Sequence, residues 1–132
     1  MTLQKQDILE GFYEGNTKVI EVTIRENGEL KPLEGCELTY VMTDRTNYDI
    51  VHIRKQSYKG EQEIKVVGLG KCKIFINGPD TIDKHGKFRH HLNVVDELNR
   101  EETVFTGLVV IHETSGKRYR EIGKPVYLEG KL

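Results

Sequence analysis

The chain alternates between apolar and polar residues over short segments, with a period of two. The clearest segment, residues 17–26, has one apolar face and one mixed face, made by Ile20, Val22 and Ile24 on one side and Val19, Glu21 and Thr23 on the other. Successive side chains of a β-strand point to opposite faces of its sheet, so this pattern predicts a half-buried strand. The "NGE" that follows (27–29) predicts a tight turn, because Asn and Gly tolerate a positive φ.

Six further segments read as strands. They are residues 36–43, 48–56, 71–76, 87–96, 103–113 and 117–123, and turn residues such as "GLG", "NGPD", "HG" and "SG" separate them. Seven short strands at a spacing of roughly 8–12 residues predict an all-β fold, an immunoglobulin-like β-sandwich of about seven or more short antiparallel strands. The best helical candidate is "TLQKQDILEG" (2–11), so residues 1–11 are expected to form a flexible or short helical arm. "DELNREE" (96–102) is expected to be a charged hairpin connection.

Size and charge limit the domain count and the classes of partner that the sequence predicts. The 132 residues fit one domain, which we place at 1–132, and 36% hydrophobic residues suffice for a modest two-layer core. The net charge is −1 with both signs mixed along the chain, so the basic stripe of a nucleic-acid-binding protein is missing. The basic cluster at Lys117, Arg118 and Arg120 alternates with Tyr119, as on a solvent-facing strand. We expect no nucleic-acid partner.

The sequence also carries no targeting signal that we recognise. No stretch approaches the ~18 consecutive apolar residues of a membrane helix, and the first residues lack a signal-peptide pattern. We therefore expect no membrane partner and synthesis in the cytoplasm. Cys36 and Cys72 lie in alternating segments and outside any CxxC or Cys/His metal spacing, so both are expected to be buried free thiols.

"DKHGKFRHHLNVVDELN" (83–99) holds three of the five histidines and raises the question of a metal site. On a strand, His90 would share the inner face with Phe88, Leu92 and Val94, while His91 would point outward. Adjacent histidines therefore diverge, and a zinc ion would need ligands from elsewhere, such as His52 or His112. The stretch also departs from the His-x-His pair of a cupin-like site. We expect neither metal nor cofactor.

Catalytic motifs are missing too. The sequence contains no Gly-x-Ser-x-Gly elbow, no His-Glu-x-x-His helix and no phosphate loop. The carboxylate pairs Asp80 with Asp83 and Glu101 with Glu102 are predicted to lie in solvated loops, where carboxylates keep ordinary pKa values. We expect no catalytic residues and no enzyme.

The order of segments resembles a known family. "FYEGNTKVIEVTIRENGELKPLEGCELTYVMTD" (12–44) is similar to the opening of the N-terminal domain of siphophage baseplate upper proteins and related phage minor structural proteins. The resemblance rests on Phe12, Gly15-Asn16-Thr17 and Leu33-Glu34-Gly35, and on the later Asp80-Thr81, Gly86 and Phe88. Asn16 departs from the family pattern, where Asp is common.

The resemblance implies a structural role in the virion, in a tail, baseplate, neck or fibre of a phage or prophage. The implied partners are other virion proteins, with the chain a homo-oligomer in a particle assembled in the host cytoplasm. Docking needs shape, charge pairing and aromatic anchors, for which Tyr13, Tyr48, Tyr58 and Tyr119 are candidates. Two alternatives stay open: a glycan-binding β-sandwich module, against which the absence of Trp argues, and a metal-dependent β-barrel enzyme.

Overall fold

The computed structural model describes residues 4–5, 9–59, 63–113 and 125–132. Within these residues the chain forms eleven strands: β1 (Gln4–Lys5), β2 (Leu9–Tyr13), β3 (Lys18–Glu26), β4 (Glu29–Leu30), β5 (Glu37–Asp44), β6 (Val51–Gln56), β7 (Ile64–Gly68), β8 (Lys71–Ile76), β9 (Gly86–Val95), β10 (Glu101–His112) and β11 (Val126–Lys131). Two 3-10 turns lie at Ser57–Lys59 and Gly78–Thr81. None of the helices in these residues is long and apolar enough to cross a membrane.

The strands form two sheets that pack face to face, so the predicted all-β sandwich is confirmed. Sheet A has the order β6-β5-β9-β10, and β1 and β2 pair with the outer edge of β10. Sheet B has the order β7-β8-β3-β11, and β4 pairs with the end of β3. The predicted segment 117–123 lies outside the described residues.

The core lies between the sheets and is built by the alternation that the sequence shows. Ile20, Val22 and Ile24 of β3 and Leu38, Tyr40 and Met42 of β5 are buried, and the polar residues between them lie outside. Burial of these side chains stabilises the fold by about 25 cal/mol for each Å² of apolar surface removed from water. The parity assigned to residues 17–26 is therefore correct.

The expected N-terminal arm is wrong for the described residues. Gln4–Lys5 and Leu9–Tyr13 are strands, and both run parallel to β10. Phe12 is buried in the core, and the free edge of β10 supplies backbone hydrogen-bond partners that a short helix near residue 9 would not use. A third parallel pair joins β11 to β3, so the expected antiparallel arrangement holds only for the remaining pairs.

The turn at 27–28 is confirmed. Asn27 and Gly28 both have positive φ, 55° and 83°, as a two-residue hairpin turn requires. It leads into the short β4, after which the chain crosses to sheet A. The strand expected from residue 48 begins only at Val51, because Asp44 accepts hydrogen bonds from the backbone of Thr46 and Asn47 and holds a loop there.

The sheets approach most closely where β11 passes β10. A Cβ atom added to Gly130 would lie 1.9 Å from Cγ1 of Val104, which is itself fully buried. Glycine therefore fits at this crossing, because any residue with a Cβ atom would require the Val104 side chain to move.

Candidate functional site

The inward-facing histidine of the histidine-rich strand β9 is part of the core. His90 is completely buried, and its Nδ1 lies 2.9 Å from the Tyr40 hydroxyl. Burial lowers the pKa of His90 to about 3, with a smaller contribution from His91, so the imidazole is neutral at pH 7. His91 points outward and is half-buried, as the parity argument predicts.

The other three histidines lie apart from this pair. His85 contacts the carboxylates of Glu14 and Glu113 at 3.2 and 3.4 Å, His52 packs against Phe88, and His112 packs against Tyr13. In the described part of the chain, no group of three or more His, Cys, Asp or Glu side chains is arranged to hold a metal ion.

The four carboxylates considered for acid/base chemistry are dispersed. Asp80 forms an ion pair with the buried Lys55 at 2.7 Å and accepts the backbone N–H of Asn77, so it fixes the 3-10 turn Gly78–Thr81. Glu101 and Glu102 open β10, which corrects their expected place in a loop: the hairpin connection is shorter than predicted and covers residues 96–100.

The candidate anchor tyrosines have different surroundings. Tyr13 is only 6% exposed and packs at the edge of the core, so its ring offers little surface to a partner. Tyr48 and Tyr58 are 58% and 57% exposed, and they lie in two different depressions of the surface. Tyr119 lies outside the described residues. Tyr127, which the sequence reasoning did not select, is also exposed.

Tyr58 borders the larger depression, which we call the end groove. It has a volume of about 660 Å³, and its lining is predominantly apolar. The groove lies at the end of the sandwich where β4 leads into β5 and where β6 leads into β7. It is lined by residues 32–37, Ser57, Tyr58, residues 64–66, Gly68 and Leu69.

Local hydrogen bonds hold the walls of the end groove. The Ser57 hydroxyl accepts the backbone N–H of Leu38, and the Glu63 carboxylate accepts the backbone N–H of Gln56. The floor is formed by the buried side chains of Leu33 and Ile64. Tyr58, Val66 and Leu69 line the opening with large exposed apolar side chains. An exposed apolar patch next to an apolar depression is typical of a protein–protein contact.

Cys36 belongs to this groove, which corrects its expected burial. It precedes β5, is only half-buried, and its thiol lies 3.9 Å from the Pro32 carbonyl oxygen. Partial burial raises the pKa of the Cys36 thiol, so at neutral pH it stays protonated. Cys72 is buried as expected, and burial raises its pKa to about 12. Both thiols are free.

Tyr48 borders the second depression, which we call the outer-face cavity. It has a volume of about 340 Å³ and lies on the side of sheet A that faces away from sheet B. Its lining consists of polar and aromatic side chains: Thr43, Tyr48, Arg89, His91, Asn93, Thr103 and Thr106. The Arg89 guanidinium carbon lies 5.0 Å from the centre of the Tyr48 ring.

Sequence reasoning selected one docking anchor in each depression, Tyr58 and Tyr48, and did not predict which other residues line it. The end groove joins residues 32–37 to residues 57–69, and the outer-face cavity joins three strands and a loop. Alternation identifies outward-facing residues, but it carries no information on which strands are neighbours. Comparison with protein-family models finds no match for this chain, and comparison with curated proteins finds no relative.

Proposed function

We propose that this chain is a non-enzymatic structural protein of a phage or prophage particle, a component of its tail, baseplate, neck or fibre. It acts by docking to other virion proteins, and several copies assemble in the particle within the host cytoplasm. The observation that carries the docking role is the end groove, an apolar depression bordered by exposed Tyr58, Val66 and Leu69. The resemblance of residues 12–44, and of Asp80-Thr81, Gly86 and Phe88, to phage baseplate proteins supports the choice of virion partners.

Two parts of that resemblance meet in space. The backbone N–H of Gly15 donates to the Thr81 hydroxyl at 2.9 Å, and Thr81 is buried. A Cβ at Gly78 would lie 2.8 Å from the Gly15 carbonyl oxygen. The Gly15-Asn16-Thr17 and Asp80-Thr81 segments are thus one structural unit, which is a physical reason for them to occur together in a family. The contact between these two segments supports the proposal, because it gives the two parts of the resemblance one shared role in the fold.

The occupant of the end groove in this proposal is an extended segment of a neighbouring virion protein. In the described residues β7 is the last strand of sheet B and pairs with β8 alone, so its outer side is an edge to which a strand can be added. The register shift between Val66 and Gly68 limits such pairing to the first part of β7. Apolar side chains of the segment would enter the groove beside Val66 and Leu69.

Charge narrows the chemistry of this segment. Glu34 and Glu37 are both exposed on one rim of the groove. A basic residue on the partner would therefore lie opposite two carboxylates, and such rim charges favour orientation and association rate. We infer an apolar segment that carries a Lys or Arg at one end.

The test uses particles induced and purified from the organism that encodes the chain. We expect the wild-type protein in these particles, and we expect Leu69→Glu to reduce its amount about tenfold or more, because a carboxylate without a partner in an apolar contact costs more than about 1.4 kcal/mol. The measurement is quantitative mass spectrometry of the particles, normalised to the other virion proteins.

Ile82→Glu is the matched control. Ile82 is 56% exposed, against 57% for Leu69, and it lies at the opposite end of the sandwich. Both variants must show the circular dichroism and thermal unfolding of the wild type. Absence of the wild-type chain from the particles would refute the virion role, and normal incorporation of Leu69→Glu would refute the groove as the docking site.

A further inference from the structure

The outer-face cavity is formed by matched positions on three adjacent strands of sheet A. Arg89 of β9 lies opposite Thr43 of β5, and His91 lies opposite Thr106 of β10. Asn93 lies two residues further along β9, opposite Thr103. On β9 the three side chains share the outward face because they are two residues apart. On β10, Thr103 and Thr106 are three residues apart, and the register shift between Thr103 and Phe105 keeps both opposite outward-facing β9 residues. A polar stripe therefore crosses the sheet beneath the loop that carries Tyr48.

Among the described residues that line this cavity, Arg89 is the one permanent cation. Its Nε is buried and has no hydrogen-bond partner among the described residues. No Asp or Glu belongs to the lining that the structure describes. A guanidinium with an unused donor, in a cavity whose described lining holds no carboxylate, is suited to an anionic acceptor. One positive charge matches a ligand with one negative charge, which favours a carboxylate over a doubly charged phosphate.

The remaining side chains suit a ligand that also carries hydroxyl groups. The Asn93 carboxamide oxygen accepts a hydrogen bond from the Thr103 hydroxyl at 2.9 Å. The amide Nδ2 of Asn93 can therefore donate to a ligand. His91 is neutral at pH 7, because burial lowers its pKa although the Glu101 carboxylate opposes the shift, so its ring can both donate and accept. The Thr106 hydroxyl adds a further donor and acceptor.

Tyr48 supplies an apolar surface. One side of its ring is covered by the Arg89 guanidinium, and the side chain as a whole is 58% exposed. A ligand that reaches Arg89 lies on the same side of this ring as the guanidinium, so its apolar C–H groups can pack against the edge of the Tyr48 ring. The volume of about 340 Å³ lies at the lower end of the range for small-ligand pockets, which fits one sugar unit better than a chain of several.

We propose that the outer-face cavity binds an acidic monosaccharide unit, with Arg89 holding its carboxylate and the edge of the Tyr48 ring packing against its apolar C–H groups. His91 and Asn93 bind the ring hydroxyls. This site is independent of the end groove, because it lies on the outer face of sheet A and shares no lining residue with that groove.

The test titrates the purified full chain with glucuronic acid, galacturonic acid and N-acetylneuraminic acid at millimolar concentrations, observed by two-dimensional NMR. We expect saturable shifts of the β9 and β10 amides with at least one of the three. We expect Arg89→Gln to weaken this binding about tenfold or more, since it removes a charge-assisted hydrogen bond. Tyr48→Ala should weaken it several-fold.

Controls separate this proposal from simpler explanations. Arg54→Gln removes an exposed cation from the neighbouring strand of the same sheet, outside the cavity, and should leave binding unchanged. Glucose tests the need for the carboxylate, and acetate tests the need for the sugar. Thermal unfolding shows that each variant is folded.

Three outcomes would overturn the proposal: no saturable binding of any of the three acidic sugars, equal binding of acetate and the acidic sugar, or unchanged binding by folded Arg89→Gln. Each outcome leaves the particle test of the end groove unaffected. The two proposals can therefore fail separately.

Discussion

The buried pair of Tyr40 and His90 gives the sharpest prediction about stability. Both side chains are fully buried, the Tyr40 hydroxyl is 2.9 Å from Nδ1 of His90, and the two rings meet edge to face. The His90 ring also packs 5.1 Å from the centre of Phe105. Nε2 of His90 is buried without a hydrogen-bond partner in the described residues. The pair is thus a polar element of the core that is only partly satisfied.

His90→Ala removes this ring from the core. Comparable large-to-small changes in a core lower the free energy of unfolding by about 3–5 kcal/mol. The Tyr40 hydroxyl loses its partner, which costs about 1–3 kcal/mol more, but the substitution also removes the unpartnered Nε2 of His90, which offsets a similar amount. We expect a net loss of about 3–5 kcal/mol and a fall in Tm of about 10 °C or more. His91→Ala changes a half-buried outward side chain and should stay within about 0.5 kcal/mol of the wild type.

A double-mutant cycle separates the hydrogen bond from the packing. Tyr40→Phe leaves both ring nitrogens of His90 unpaired, and His90→Phe leaves the Tyr40 hydroxyl unpaired, so each should cost about 1–3 kcal/mol. The double variant leaves no polar atom of the pair behind and should be near the wild type in stability. Since the two single losses add up to about 2–6 kcal/mol and the double variant loses little, we expect a coupling free energy of at least about 2 kcal/mol.

The assay is urea unfolding at pH 7, followed by circular dichroism and checked by thermal unfolding. A larger loss in His91→Ala than in His90→Ala would show that the parity of β9 is reversed. Additive effects of Tyr40→Phe and His90→Phe, with no coupling, would show that the hydrogen bond does not form in solution.

Three further predictions concern pH, the thiols and the closest approach of the sheets. Because the pKa of His90 is lowered to about 3 in the folded chain, the unfolded chain binds a proton first as the pH falls below about 6.5, and acid therefore favours unfolding. We expect the free energy of unfolding to fall by up to about 1.4 kcal/mol per pH unit between about pH 6 and 3, and His90→Phe should remove this part of the slope in pH-dependent urea titrations. Cys36 should react with a thiol reagent in the native protein and Cys72 only on unfolding, and equal reaction rates would contradict their different burial. Gly130→Ala should lower the free energy of unfolding by about 1–3 kcal/mol because its methyl group would clash with β10, and an unchanged urea midpoint would refute that crossing.

The strands that the sequence predicted are those whose own residues contact both the core and solvent. β3, β8, β9 and β10 each alternate between buried and less buried positions along most of their length, and β5 does so in its first half. This pattern is readable without knowledge of their neighbours. The parity of His90 and His91 followed from the same rule.

The strands that were missed depend on their partners. β7 has one buried residue, Ile64, followed by four exposed ones, so its sequence shows no alternation, and it exists as a strand because β8 is beside it. β1 and β2 are short and pair in parallel with the edge of β10, which no local pattern indicates. β11 contains Gly130, which weakens a strand prediction but is needed where the sheets approach.

The candidate sites were less predictable than the fold. Tyr48 and Tyr58 were selected as aromatic residues near strand ends, but their neighbours come from distant segments: Arg89 for Tyr48, and Val66 and Leu33 for Tyr58. The sequence could predict that a single residue is exposed, but it could not predict a depression. The depth of a depression depends on how loops lie across the strand ends.

The most direct test of the docking role is a cryo-electron microscopy map of the particles produced by the organism that encodes this chain. The account predicts repeated copies of the two-sheet sandwich in the tail, baseplate, neck or fibre, with an extended segment of a neighbouring protein lying in the end groove beside Val66 and Leu69. A map in which the sandwich is missing, or in which every copy leaves the end groove open to solvent, would contradict it.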